Sequence, residues 1–135
     1  MPISGPAPRT DAGLLVLRLG LGTLLLFHGI FKLTHGIAWI AGPLGAVGLP
    51  AWLAYGTYVG EVLAPVLVIL GLWARPAALV IALDLFMAIF LARRGDVAKI
   101  NPMGGGWAIE LELCFFVMAV VLALTGGGRY GVGRR

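Results

Sequence analysis

The sequence predicts an all-α integral membrane protein, built as a bundle of four transmembrane helices with an apolar segment between the first two. Of its 135 residues, 60% are hydrophobic and 12% are charged, whereas soluble domains are about half apolar and a quarter charged. Four apolar runs are separated by Gly, Pro or charged residues, and each has too few polar residues for the amphipathic face of a soluble helix. The chain therefore has room for one domain of about four spans of ~20 residues each.

The first helix is predicted over residues 12–34, after a Pro-rich, flexible tail of residues 1–11. Its apolar run is too long for the hydrophobic region of a signal peptide and ends in Lys-Leu-Thr-His rather than in a cleavage site of small residues. We therefore expect this helix to be retained. The linker of residues 34–50 is apolar but repeatedly broken by Gly and Pro, which predicts a segment that lies on the membrane surface or re-enters the membrane without crossing it.

The second and third helices are predicted over residues 51–73 and 76–92, joined as an antiparallel hairpin. Trp52 and Trp73 are separated by ~31 Å along a helix that rises 1.5 Å per residue, close to the ~30 Å thickness of the hydrocarbon core. Tryptophan is enriched at both membrane interfaces, which supports this register. Pro76 suits the first turn of a helix, where its missing N–H is not needed. The connection before the third helix is therefore tight.

The fourth helix is predicted over residues 107–125, followed by a flexible, basic, Gly-rich tail of residues 126–135. Four spans place both termini on the same side of the membrane. Five lysine and arginine residues fall on that side, against four on the other. The positive-inside rule therefore favours a multi-pass protein of the plasma (inner) membrane with both termini in the cytoplasm.

Ionisable residues inside the apolar runs are the most informative feature of the sequence. A charge at the bilayer centre costs at least ~2.5–3.5 kcal/mol, so such residues usually face the bundle interior, pair with one another or serve a function. The basic residues of the first helix fall within an ~80° sector, and we expect that stripe to point inward. The basic residues are all on the first helix and the acidic ones on the other three: Arg18, His28 and Lys32 against Glu61, Asp84, Glu110 and Glu112.

The depths of these residues along their helices predict which of them meet. Arg18 is expected to pair with Asp84. Lys32 and His28 are expected to face Glu61 and one of the two glutamates of the fourth helix. An alternative is that these charges only hold the helices together, or that those near helix ends extend to the membrane interface.

Proline and glycine in the second helix predict local distortion and close packing. Pro65 has no N–H, so the carbonyl of Glu61 loses its helical partner and the helix should kink there. Gly56 and Gly60 form a GxxxG pair, a pattern that permits close contact with a neighbouring helix.

Several short motifs, taken in order, resemble the DoxX family of small four-helix membrane proteins over about residues 12–131. They are Arg18, His28-Gly29 with Lys32-Leu33, the Gly-Leu-Pro of residues 48–50, Gly60-Glu61, Gly71-Leu72, Arg75, Glu110, and the Gly-Gly-Arg-Tyr of residues 127–130. The chain departs from the usual ending, because Gly131 follows where Ser is frequent. The family is related to the small subunit of a membrane thiosulfate:quinone oxidoreductase, and other members look like partners in membrane-associated redox complexes.

The resemblance implies a subunit of a quinone-linked redox system, and the residues suggest how it would work. Quinone reduction needs proton exchange at a flat apolar slot. His28 and Glu61 are the candidate catalytic residues, since histidine exchanges protons near neutral pH and a carboxylate can relay them. The candidate binding residues are Arg18, Lys32, Tyr58, Asp84 and Glu110, and the candidate aromatic lining is Phe27, Phe31, Tyr58 and Phe90.

The cofactor is unknown from the sequence, with a membrane quinone as the candidate. The sequence has no flavin or nucleotide loop, no Fe–S cysteine set, no pair of histidines on separate helices for a haem and no metal-ligand spacing, and its one cysteine, Cys114, cannot form an internal disulfide. Any electrons must therefore come from a partner or directly from a bound substrate.

Two other function classes remain open at this point. The chain can be a non-catalytic membrane anchor or assembly factor for soluble redox enzymes, or a small-molecule binder or carrier that works as a homodimer. The partners considered are the lipid bilayer, soluble redox enzymes and a second copy of the chain. The basic residues lie at the ends of apolar runs, which is typical of lipid headgroup contact and not of a nucleic-acid surface.

Overall fold

A computed structural model describes residues 8–132 of the chain, and within this range the regular structure is helical apart from one isolated bridge between Ile100 and Trp107. The helices are α1 (Pro8–His35), α2 (Ala41–Ala46), α3 (Ala51–Leu70), α4 (Ala74–Ala92) and α5 (Glu110–Thr125). Single 3₁₀ turns at Ala38–Ile40 and Arg94–Asp96 precede α2 and follow α4.

In the part of the chain that the structure describes, 3 helices are long and apolar enough to cross a membrane: Arg9–His35, Ala51–Leu70 and Ala74–Ala92. Helix α5 has 16 residues, which gives a length of about 24 Å. It packs along α4 and also contacts α1. The all-helical class is therefore confirmed, whereas a fourth span and a re-entrant linker stay predictions.

Helix α1 begins at Pro8, before the predicted start at residue 12. Asp11, the last residue of the predicted flexible tail, is buried in the first turn of α1. Its carboxylate accepts a hydrogen bond from the backbone N–H of Arg129 (3.1 Å) and lies 3.0 Å from the Nε of the same residue. A carboxylate in a first turn is favoured by the helix dipole. Residues 1–7 of the predicted tail lie outside the described residues.

Helix α3 contains a π-helical turn at Val59–Leu63, which ends two residues before Pro65. Because Pro65 cannot donate to the carbonyl of Glu61, the α-helical pattern is interrupted where the sequence predicted a kink. This carbonyl packs against Gly29 of α1 so closely that a Cβ at Gly29 would overlap it. The distortion therefore coincides with a close approach of α1 and α3.

The predicted GxxxG pair of α3 contributes one close helix contact. A Cβ added at Gly60 would lie 2.5 Å from the Cβ of Asp84, so α3 and α4 approach closely there. A Cβ at Gly56 would meet nothing within 4 Å. Gly60 is therefore the packing glycine, and Gly56 lies beside open space.

Helix α3 ends at Leu70, earlier than the predicted end at residue 73, because Gly71 adopts a left-handed conformation with φ of 77°. The N–H of Leu72 bonds to the carbonyl of Leu67 (2.9 Å) and that of Gly71 to Val68 (3.1 Å). These two bonds form the Schellman motif that ends many helices. Helix α4 then begins at Ala74, so the connection has three residues, one more than predicted, and is still tight.

The hydrophobic core has two parts. The larger part joins the long helices through fully buried side chains such as Leu21, Val68, Ile81 and Leu122. The smaller part is formed by the linker, whose Ile37, Ile40 and Leu44 pack with Ala54 and against Leu91. Residues 36–50 of the linker, here called the cap, therefore form a short helical segment that covers the start of α3 and the end of α4.

Arg18 does not pair with Asp84, so that prediction is wrong. The guanidinium is buried and donates to four backbone carbonyls: Val68 (2.9 Å), Ile69 (3.0 Å), Gly127 (3.1 Å) and Tyr130. The last carbonyls of a helix lack intrahelical partners and carry the negative end of its dipole, which attracts a cation. Arg18 therefore binds the carbonyls at the C-terminal end of α3 instead of the carboxylate of Asp84.

Residues 126–132, expected to be part of a flexible tail, lie against the bundle. Arg18 and Asp11 hold this segment through the contacts already described, and the N–H of Val132 bonds to the carbonyl of Leu70 at 2.8 Å. Residues 133–135 of the predicted tail lie outside the described residues.

Candidate functional site

A cavity of about 490 Å³ lies between the end of α1, the cap, the first half of α3 and the second half of α4. This volume is within the 300–1,000 Å³ that is usual for small-molecule sites. Most of its lining is apolar: Trp39, Ile40, Pro43 and Leu44 from the cap, Leu53, Gly56 and Val59 from α3, and Val80, Leu83, Met87, Ala88, Leu91 and Ala92 from α4. Such a cavity fits a lipophilic molecule.

Three ionisable side chains from three helices form one side of the cavity, here called the polar wall: Lys32, Glu61 and Asp84. The Nζ of Lys32 donates to the Oε1 of Glu61 at 2.6 Å, and the side chains are 18% and 5% exposed. The expected contact between these two residues is present. The polar wall brings together one predicted catalytic residue and two predicted binding residues.

Asp84 completes the polar wall from α4. Its Oδ2 is buried and makes no hydrogen bond within the described residues, whereas buried polar atoms normally have a partner. The wall holds two carboxyl groups and one ammonium group, so it has one anion more than it has cations when both carboxyls are ionised. Because an uncompensated charge is costly in a low-dielectric environment, this wall is suited to binding one additional proton or hydrogen-bond donor.

His28 does not face Glu61, contrary to the sequence prediction. Its side chain is exposed on the outside of the bundle and makes a T-shaped contact with the Phe115 ring, at a centroid distance of 5.9 Å. The narrow contact with α3 is occupied by Gly29 of α1. His28 and Lys32 lie on the same broad face of α1. Only part of that face is covered by the neighbouring helices, and His28 lies outside the covered part.

The glutamates of the fourth helix do not face Lys32 either. Glu110 is exposed, and the Oε2 of Glu112 lies 3.2 Å from the Nη1 of Arg93. Arg93 follows the end of α4 and also donates to the carbonyl of Ala108 at 2.7 Å. Both glutamates lie in the first turn of α5, where the helix dipole favours acids, and Glu112 pairs with Arg93.

The predicted aromatic slot is not the lining of this cavity. Phe27, Phe31 and Phe90 are exposed, and the hydroxyl of Tyr58 donates to the backbone carbonyl of Lys32 at 3.3 Å. Tyr58 lies beside a second, shallower depression on α3. The true lining includes the cap, which sequence reasoning missed. One signal was available in the sequence. The linker is apolar but has too many Gly and Pro residues to cross the membrane, which is compatible with packing against the helices.

The family model described as DoxX matches residues 13–94. The chain belongs to the DoxX family. The matched range includes every residue that lines the cavity, and it ends before α5. With its apolar helices, this DoxX chain is a membrane protein that contacts lipid.

Two relatives resemble this DoxX chain over most of their length. The Bacillus subtilis protein named "Putative oxidoreductase CatD" is 31% identical over 116 residues, which are 86% of this chain and 81% of the relative. An uncharacterized protein of Haemophilus influenzae is 30% identical over 115 residues, 83% of this chain and 81% of the relative. No solved structure matches this DoxX chain.

Proposed function

We propose that this protein is the membrane subunit of a quinone-linked redox system of the thiosulfate, sulfur or thiol oxidation type. The single observation that carries the proposal is the apolar cavity between membrane-spanning helices with the Lys32, Glu61 and Asp84 wall on one side. The word oxidoreductase in the name of one relative supports a redox role.

The polar wall has the groups that quinone chemistry needs. Reduction of a quinone to a quinol consumes two electrons and two protons, so its two oxygens need hydrogen-bond donors and proton sources. The ammonium group of Lys32 can donate to one quinone oxygen, and the carboxyl groups of Glu61 and Asp84 can pass protons to it. In this proposal Glu61 and Asp84 are the proton-exchanging residues, and His28 is not.

Electrons come from a partner or directly from a reduced substrate in this proposal. Soluble redox enzymes are the proposed donors, and a homodimer stays a proposal of the same kind. The proposed location is the plasma membrane with both termini in the cytoplasm. This arrangement requires α5 to act as a fourth span, because the described termini must then lie on one side of the membrane.

The proposal is tested by quinone reduction in proteoliposomes supplied with thiosulfate or sulfide. We expect Glu61→Gln and Asp84→Asn to lower the rate on the order of 100-fold, as is usual for loss of an acid/base group. Glu110→Gln is the matched control, because Glu110 is exposed and outside the cavity. Wild-type protein that reduces no quinone even after its co-purifying soluble enzyme is added back would instead identify a membrane anchor.

A further inference from the structure

The cavity has a buried polar side and an exposed apolar side. Glu61 is 4% exposed and Leu44 of the cap is 2% exposed. In contrast, Val59 of α3 is 45% exposed, and Val80 and Leu83 of α4 are 36% and 62% exposed. These three aliphatic residues line the same cavity, so the cavity reaches the outer surface of the bundle between α3 and α4.

This surface belongs to the hydrocarbon region. Both helices are among the candidate membrane spans, and the residues at the opening are aliphatic, as lipid-facing residues are. A molecule that passes between Val59 and Leu83 therefore comes from the bilayer rather than from water. The ionisable lining residues lie on the other side of the cavity. Lys32 comes from α1, Glu61 from α3 and Asp84 from α4.

We propose that the outward opening of the cavity at Val59, Val80 and Leu83, beside the close contact of Gly60 with Asp84, is a lateral portal for an amphiphilic lipid. Its polar head lies against the Lys32, Glu61 and Asp84 wall, and its hydrocarbon tail extends through the portal into the bilayer. The inference deepens the proposed function and rests on it for the identity of the head group. The substrate class it names is a tailed membrane quinone and not a tail-less, water-soluble one.

Variants at the portal separate tailed from tail-less ligands. Leu83→Trp should block the portal without touching the polar wall. Leu79→Trp is the matched control, because Leu79 is 61% exposed on the same helix but does not line the cavity. Each protein, reconstituted in nanodiscs, is titrated with decyl-ubiquinone and with the same ring without its decyl chain. The readout is the rise in Tm that binding produces.

The expected result is specific to one variant and one ligand. Wild type and Leu79→Trp should respond to both quinones, whereas Leu83→Trp should need at least about tenfold more decyl-ubiquinone for the same rise in Tm and respond normally to the tail-less ring. An unchanged response of Leu83→Trp to decyl-ubiquinone would overturn the portal. If Leu83→Trp does not fold, Val80→Trp tests the same opening in the same way.

A third ligand separates failure of the portal from failure of the proposed function. 4-Decylphenol carries the tail but does not act as a quinone. If wild type responds to 4-decylphenol and to neither quinone, and Leu83→Trp removes that response, the portal stands and the quinone function is wrong. If wild type responds to none of the three ligands, both inferences are wrong.

Discussion

At the scale of single residues, the contact between Lys32 and Glu61 is the central interaction of the site. The two side chains are mostly buried and 2.6 Å apart. In such pairs the attraction offsets a large cost of desolvation, so the loss of one partner is worse than the loss of both. The pair therefore both joins α1 to α3 and positions an ammonium group at the cavity.

We predict that Glu61→Gln lowers the free energy of unfolding by about 3 kcal/mol, because it removes the carboxylate that is hydrogen-bonded to the mostly buried Lys32 ammonium. The double variant Lys32→Met with Glu61→Gln should recover part of this loss. Thermal or denaturant unfolding in detergent measures both, with Glu110→Gln as the control. If Glu61→Gln is as stable as Glu110→Gln, the ion pair contributes little to stability.

At the scale of helices and segments, Arg18 connects three parts of the chain. It links α1 to the end of α3 and to the segment of residues 126–132 through four carbonyl oxygens. Gly71 makes this possible, since a Cβ there would lie 2.5 Å from the Nη2 of Arg18. A charged donor that satisfies several helix-end carbonyls is a structural element rather than a part of the cavity.

We predict that Arg18→Met releases residues 126–132 from the bundle, because these carbonyls then lose their buried donor. Amide hydrogen exchange at Val132, whose N–H bonds to Leu70, should become faster by at least about tenfold. Arg75→Met is the control, since Arg75 is exposed and, among the described residues, donates one hydrogen bond, to the carbonyl of Ala123. Equal exchange in both variants would remove the proposed role of Arg18.

The long helices could be predicted from the sequence because their signal is local. The length and hydropathy of an apolar run, and the Gly or Pro residues that end it, define a span directly. Pro65 predicted the distortion of α3 because proline has no backbone N–H to donate. The Lys32–Glu61 contact could be predicted because Lys32 lies on the basic face of α1 and the acidic residues lie on the other helices. The partner of Arg18 could not be predicted, because backbone carbonyls at a helix end have no residue signature.

The true cavity lining also lay beyond prediction from the sequence. The cap packs on α3 and α4 through Ile40 and Leu44, and its irregular sequence shows no period that predicts this contact. The prediction that His28 points inward was wrong, because a helix face ~80° wide does not determine which part of it a neighbouring helix will cover. The choice of partner depends on tertiary packing that one sequence does not contain.

At the scale of the whole molecule, the number of spans determines the sidedness of the site. Helices α1, α3 and α4 qualify as spans, whereas α5 is short and lies mostly beside α4. If α5 also crosses, the loop that follows α4 and the segment after α5 lie on opposite sides of the membrane. The four-span proposal therefore has a direct topological test.

We predict that Met103→Cys reacts with a membrane-impermeant maleimide added to intact cells, and that Val132→Cys reacts only after the cells are opened. Both positions are strongly exposed, at 93% and 77%, and Cys114→Ser removes the native thiol from the background. Labelling of both cysteines on the same side would show that α5 does not cross the membrane.

The central claim is that the cavity beside Lys32, Glu61 and Asp84 holds a membrane quinone, and the amount of quinone bound to the purified protein tests it most directly. Protein is purified in mild detergent, extracted with organic solvent and its quinone measured per mole of chain. Gly56→Phe should fill the cavity, because Gly56 lines it beside open space, whereas Gly20→Phe on α1 changes a glycine outside it. We predict near-stoichiometric quinone in wild type and Gly20→Phe and little in Gly56→Phe; equal amounts in all three, or none in wild type, would contradict the claim.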